Sequence, residues 1–292
     1  MQKALPWLPF LLLLPCGAWA GKNPEGPEFK GRVKTISQAH TDSARFGNTV
    51  FIIRRATTWM YDPQGRLTEV RESTDSHKVP GGNQTAHTVK SYQYHDNGAL
   101  ARLRTSYTGT PEGDKKSTSE YYYDHEGRRI LEIFTPDSRK GLHTLYTMSY
   151  DHNGRLASIV TLVENDTTHE FREIGYQKNV HDMEGNIAEV HYKDIKTGAF
   201  HLSTSSVYDS RKNVLEKKHY YTDGSLRLKL TYTYDGEGRN TTIVTEQPDG
   251  SRSTATHAYE DIDANGNYRR VVSNASTESE PAASERTIEY YP

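Results

Sequence analysis

The sequence predicts an all-β fold: tandem antiparallel hairpins forming a long twisted or spiralling meander sheet (an open shell or partial barrel), preceded by a cleaved signal helix. Three observations predict it. A motif of tyrosine, aspartate and glycine recurs along most of the chain, and the segments between copies alternate apolar with polar residues. Beyond residue 20, no stretch carries an apolar stripe of helical period.

The first twenty residues read as a signal peptide. Lys3 gives a positive start, and the apolar run from Ala4 to Leu14 is too short to cross a bilayer as a helix. Pro15 and Gly17 break the run, and Ala18-Trp19-Ala20 is the small-x-small pattern of a cleavage site. Cleavage is expected before Gly21. The rival reading is a lipoprotein anchored through Cys16, for which Leu13 fits and Pro15 does not. Residues 21–30 read as a disordered lead-in.

Residues 31–272 form the repeat domain. Tyr61-Asp62-Pro63-Gln64-Gly65-Arg66-Leu67 and Tyr150-Asp151-His152-Asn153-Gly154-Arg155-Leu156 are the cleanest copies. Tyr123-Asp124 with Gly127 and Tyr234-Asp235 with Gly238 repeat the pattern, each followed by arginine. Looser copies run from Tyr94 to Gly98, through Asp182 to Gly185, from Tyr208-Asp209 to Lys212, and up to Gly266. Gly31-Arg32-Val33 opens the series, and the period drifts around roughly 29 residues.

Each period has room for two strands and two turns. Leu226, Leu228, Leu230, Tyr232 and Tyr234 alternate with Arg227, Lys229, Thr231 and Thr233, the pattern of a half-buried strand. The chain then turns at Asp-x-x-Gly, where glycine supplies a positive φ and aspartate binds its own downstream backbone. Asp223-Gly224 and Asp249-Gly250 mark the reversals between motif copies. In the copy where Lys212 fills the glycine slot, the sequence predicts a one-residue shift, with Asn213 taking the left-handed conformation.

These residues resemble the YD repeat of the Rhs and teneurin families, whose consensus is Y-D-x-x-G-R-L. The resemblance implies long antiparallel ribbons that spiral, and in large members close into a hollow shell around a toxin or other cargo. Only the repeat fold is carried over here, because the chain reads as too short for a closed cocoon. Toward the C-terminus, residues 273–285 are polar and include Pro281, so a disordered loop or tail is expected. Residues 286–292 read as a closing strand.

Composition narrows the function. Without the leader, which takes Lys3 and Cys16, the chain has 35 basic and 38 acidic residues and no cysteine. That excludes disulfides and thiolate metal sites, and it gives no electrostatic footprint for nucleic acid. No second apolar stretch is long enough for a helical span. Twenty tyrosines suit thin sheets with one half-wet face.

Candidate chemistry is sparse. The thirteen histidines show no H-x-x-x-H spacing, although His125 and His152 share a repeat slot. Asp261, Asp263 and Asn265 resemble the start of a calcium loop, against the simpler reading of a degenerate turn. Calcium is therefore the one cofactor the sequence raises. No G-x-S-x-G or cysteine nucleophile is present, so no catalytic residues are assigned. The expectation is a non-catalytic protein of the bacterial periplasm or cell surface, acting as scaffold or interaction surface for a protein or cell-wall partner. The alternatives are a saccharide or peptidoglycan binder using tyrosine rows and, more distantly, a hydrolase.

Overall fold

A computed structural model of the chain describes residues 31–46, 49–79, 83–109, 114–136, 142–275 and 282–291. The signal peptide, Cys16, Gly21 and the 21–30 lead-in lie outside the described residues. Among the described residues there are eighteen strands. The first six are β1 (Val33–Phe46), β2 (Thr49–Tyr61), β3 (Leu67–Val79), β4 (Asn83–Tyr94), β5 (Leu100–Thr108) and β6 (Lys115–Tyr123). Next come β7 (Arg129–Pro136), β8 (Thr144–Tyr150), β9 (Leu156–Glu164), β10 (Phe171–His181), β11 (Ile187–Lys193) and β12 (Phe200–Tyr208). The last six are β13 (Val214–Tyr220), β14 (Leu226–Tyr234), β15 (Asn240–Glu246), β16 (Arg252–Ile262), β17 (Tyr268–Ala275) and β18 (Ala282–Tyr290).

Every strand pairs antiparallel with its neighbours in sequence, and β18 returns to pair with β1 through Ile288 opposite Ile36. The expected open spiral is thus corrected to a closed up-and-down barrel. Closure leaves no strand edge unpaired, which a spiral of the same hairpins would leave twice. Of the polar 273–285 segment, residues 276–281 lie outside the described residues, and the rest is paired in strands instead of disordered. Ser273 ends within β17 and Ala282 starts β18, because ladder pairing recruits polar residues at both ends. Residues 286–290, expected as part of a closing strand, continue β18.

Register decides which residues face inward. Directly opposed residues share a face, so the pairings carry one face around the whole ring. Starting from Ile36, the inward set passes through Trp59, Val70, Lys90, Thr105 and Ser117, and it returns through Ser284 and Arg286. The buried hydrophobics Val33, Ile36, Tyr61, Leu67, Val70, Tyr92, Tyr121, Leu156 and Ile288 all belong to it. Eighteen strands about 4.8 Å apart give a perimeter on the order of 85 Å, too wide for facing side chains to fill. Strands contact only their ladder neighbours. Arg55 and Arg172 face inward yet remain exposed, so the lumen holds solvent.

The wall is uneven. β1 has 14 residues and β13 has 7, so one side is about twice as tall as the other. The apolar core lies at the rim formed by the motif turns and is densest around β1–β5 and β18.

Candidate functional site

The motif turns line one rim and follow a single design. In the first copy, Asp62 Oδ1 accepts the N–H groups of Gln64 (3.0 Å) and Arg66 (2.8 Å). The Arg66 Nε donates to Asp62 Oδ2 at 2.7 Å, and Gly65 holds φ 79. The same contacts recur at Asp124 with Arg128 and at Asp235 with Arg239. Where arginine is missing, an asparagine amide takes its place: Asn186 on Asp182 and Asn213 on Asp209, both at 2.9 Å.

The tyrosines link one copy to the next. A register irregularity falls beside Tyr61, Tyr94, Tyr123, Tyr150, Tyr208 and Tyr234. It places each tyrosine opposite the residue that ends its own motif, such as Leu67 opposite Tyr61. That residue's carbonyl accepts the tyrosine hydroxyl of the following copy. Tyr94 donates to Leu67 (2.6 Å), Tyr123 to Leu100 (2.7 Å), Tyr150 to Arg129 (2.7 Å), Tyr208 to Ile187 (3.0 Å) and Tyr234 to Val214 (2.8 Å). The motif arginine lies over the next ring: Arg66 is 5.1 Å from the Tyr94 centroid and Arg128 4.9 Å from that of Tyr150. Burial pushes the Tyr94 hydroxyl up to about 12.

Two copies use residues the sequence reading did not single out. With His181 in the tyrosine slot, the Asn179 side-chain N–H reaches Leu156 O at 3.0 Å. With Ile262 in the slot, Tyr259 donates to Asn240 O at 2.9 Å. Tyrosine at 259 was a visible signal, three residues out of register; asparagine at 179 was not. At the seam, Tyr291 donates to Tyr61 O at 2.7 Å. The Tyr61 hydroxyl, by contrast, is buried with no partner, and desolvation raises its pKa above the ordinary phenol value.

One expectation is corrected. Lys212 itself holds the left-handed conformation, at φ 68, and the turn is not shifted. The reason is Asn213, whose N–H and amide are both held by Asp209 in the arginine's position. The calcium-like loop has the hydrogen bonds of the other motif turns. Asp263 Oδ1 accepts the N–H groups of Asn265 and Asn267, and its Oδ2 accepts the Tyr290 hydroxyl. Gly266 holds φ 82 and Asp261 φ 52. No group of three or more His, Cys, Asp or Glu among the described residues could hold a metal ion. His125 and His152 sit on exposed turns.

The two faces of the wall differ in charge. Outward, cross-strand ion pairs encircle the barrel: Arg102 with Glu120, Lys193 with Glu173, Glu216 with Lys229, and Arg252 with Glu246. Inward, Arg55, Lys90, Lys115, Arg129, Arg172, Lys217 and Arg286 face the lumen. Among the described side chains, the inward strand carboxylates are Glu72 and Glu132. Burial, then Lys217 and Arg227, holds His219 below the usual imidazole range.

No protein-family model matches the chain, and no curated protein matches it. Solved structures do show likeness. A porin-like protein from Bacteroides uniformis has a TM-score of 0.45 at 12% identity, covering 89% of this chain and 99% of that one. A TcdB2-TccC3 structure without its hypervariable C-terminal region has a TM-score of 0.35 at 13% identity, covering 83% of this chain. A Photorhabdus luminescens Tc holotoxin pore has a TM-score of 0.29 at 12% identity, covering 82%. This chain spans 16% and 17% of those two toxin chains. At such scores the likenesses say nothing about what this chain binds or does.

Proposed function

We propose that the chain is an exported, non-catalytic barrel of YD-repeat type that serves the bacterial cell envelope as a structural scaffold or protein-interaction surface. One observation carries this reading: Tyr94, Tyr123, Tyr150, Tyr208 and Tyr234 face inward and their hydroxyls are bonded to the neighbouring copies. Residues engaged in holding a ring together are not free to stack on a ligand, which weighs against a binder using tyrosine rows. The outward ion pairs weigh against a lipid-facing wall, since charges there are costly at the bilayer midplane. Among the described residues, no helix is long and apolar enough to cross a membrane.

Outward apolar residues suited to partner contact lie on the β12 side. Val207 is 53% exposed and Phe200 48%. The test is photo-crosslinking in the producing cell from positions 207 and 200, with Thr231 on the charged arc as control. A single discrete envelope adduct from 207 or 200, absent from 231, is expected. Purified protein that requires detergent, or that floats with lipid vesicles, would overturn the reading in favour of a membrane barrel.

A further inference from the structure

We propose that the lumen of the barrel binds an anionic glycan, a saccharide chain bearing carboxylates. The inference does not depend on what the outer surface contacts. Its first basis is the asymmetry of charge across one wall. The outer face balances acids and bases in ion pairs, whereas among the described inner side chains the cations of β2, β4, β6, β7, β10, β13 and β18 outnumber the carboxylates Glu72 and Glu132, the second of which lies 3.5 Å from Arg129. Cations spread around a lumen, with low-dielectric walls behind them, focus a positive potential inside it. A chain that is net negative overall thus turns an excess of cations inward among its described residues.

The second basis is what lies between the cations. Thr57, Thr88, Thr105, Ser117, Thr204 and Ser206 share the inward face, a hydroxyl lining suited to a hydroxyl-rich ligand. Near the seam, the Ser284 hydroxyl and the buried Tyr61 hydroxyl have no hydrogen-bond partner. Tyr61 is only 6% exposed, so an orphan donor there favours a polar occupant or bound water.

The fold argues against the other polyanions. An acidic peptide gains most from pairing with a free strand edge, and a closed barrel offers none. A nucleic acid strand requires open aromatic faces for its bases. Here Tyr94, Tyr150 and Tyr259 are half-buried at one rim and packed under arginines. A carboxylated saccharide needs neither feature.

The test is calorimetric titration of the chain from Gly21 with polygalacturonate at low ionic strength. Neutral dextran, polyglutamate and a single-stranded oligonucleotide serve as the other arms. Two double variants carry the same change in net charge: Arg172→Glu with Lys217→Glu on the inner face, and Arg104→Glu with Arg252→Glu on the outer. Polygalacturonate should bind, and the inner pair should weaken it about tenfold or more while the outer pair leaves it nearly unchanged. Should the inner pair fail to fold, Arg172→Gln with Lys217→Gln replaces it and should weaken binding in the same direction. The proposal is overturned by any of four results: no binding, equal loss from both faces, dextran binding as well as polygalacturonate, or polyglutamate or the oligonucleotide binding more tightly.

Discussion

At position 212 a lysine holds φ 68 in a turn where Gly65, Gly127, Gly154 and Gly238 hold φ between 73 and 79. A side chain in that conformation costs about 1–2 kcal/mol, partly offset by the greater freedom glycine has when unfolded. Lys212→Gly should therefore stabilise the fold by about 1 kcal/mol, whereas Gly154→Val should destabilise it by more than that. Urea midpoints decide; an unchanged or lower midpoint for Lys212→Gly would show that position 212 is not strained. The turn aspartates make a second prediction. Backbone donation from Arg155 holds the Asp151 carboxyl low, and the Asn213 amide followed by turn N–H groups does the same for Asp209. Partial burial opposes the shift at Asp235 and Asp263, and the donors around each still outweigh it. A carboxylate whose folded pKa lies below its unfolded value of about 3.9 stabilises above that pH and loses the contribution as pH falls through the folded pKa. The melting temperature should thus drop progressively below about pH 4, beyond the decline below about pH 6.5 that the lowered His219 contributes as the unfolded state takes up its proton. Asp151→Asn should shrink that drop in a pH series of thermal melts. A melting temperature independent of pH down to pH 2.5 would contradict the shared role of these carboxylates.

At the scale of the hairpin, the motif's tyrosine belongs to two copies at once, and this explains what sequence reading could and could not reach. Turns were legible because aspartate, glycine and asparagine act within five residues of one another, and strands because period two is local. The hydroxyl bonds were not legible: Tyr150 meets Arg129 O across 21 residues, and nothing in the motif itself names its acceptor. The compensations at Asn179 and Tyr259 lie off the motif slot, so a slot-by-slot reading passes over them. Calcium was suggested at Asp263 because alternating oxygens look alike whether they receive a cation or turn N–H groups. The tyrosine row also supplies an internal contrast. Tyr150→Phe deletes a 2.7 Å bond to a backbone carbonyl and should cost about 1 kcal/mol. Tyr61→Phe deletes a buried hydroxyl that has no partner, so it should be neutral or stabilising. Chemical denaturation of the two variants measures both. If Tyr61→Phe costs as much as Tyr150→Phe, the Tyr61 hydroxyl has a partner, such as ordered water.

For the whole molecule, the deciding feature is the pairing of β18 with β1, which joins residues about as far apart in sequence as the domain allows: Arg286 Nε donates to Gln38 Oε1 at 2.8 Å. Repeat period and motif say how each hairpin is made, but the number of hairpins that closes a ring depends on accumulated twist and stagger, which no single copy encodes. The sequence pattern therefore led to an open spiral, because nothing local in it reports closure. The seam shows how closure is secured. Tyr291 N donates to Arg32 O at 2.8 Å, so the end of the last strand lies beside the start of the first. Tyr291 also donates to Tyr61 O, extending the tyrosine linkage across the join. Adjacent ends permit a direct test. A circular permutant can join Tyr291 to Gly31 through a short Gly/Ser linker and open the chain at the exposed Asp249-Gly250 turn between β15 and β16. In a closed barrel this change replaces one hairpin connection with another and leaves every ladder intact. The permutant should stay monomeric in gel filtration, unfold in one transition and melt within about 5 °C of the parent. In an open spiral, the same linker would have to bridge two ends that lie far apart, and the permutant would unfold or aggregate through its strained edges. Truncation before Ala282 separates the two cases further. It removes β18 and exposes β1 and β17 as edges, so a closed barrel should lose its cooperative transition and associate, whereas a spiral would lose only its last strand and keep melting as before.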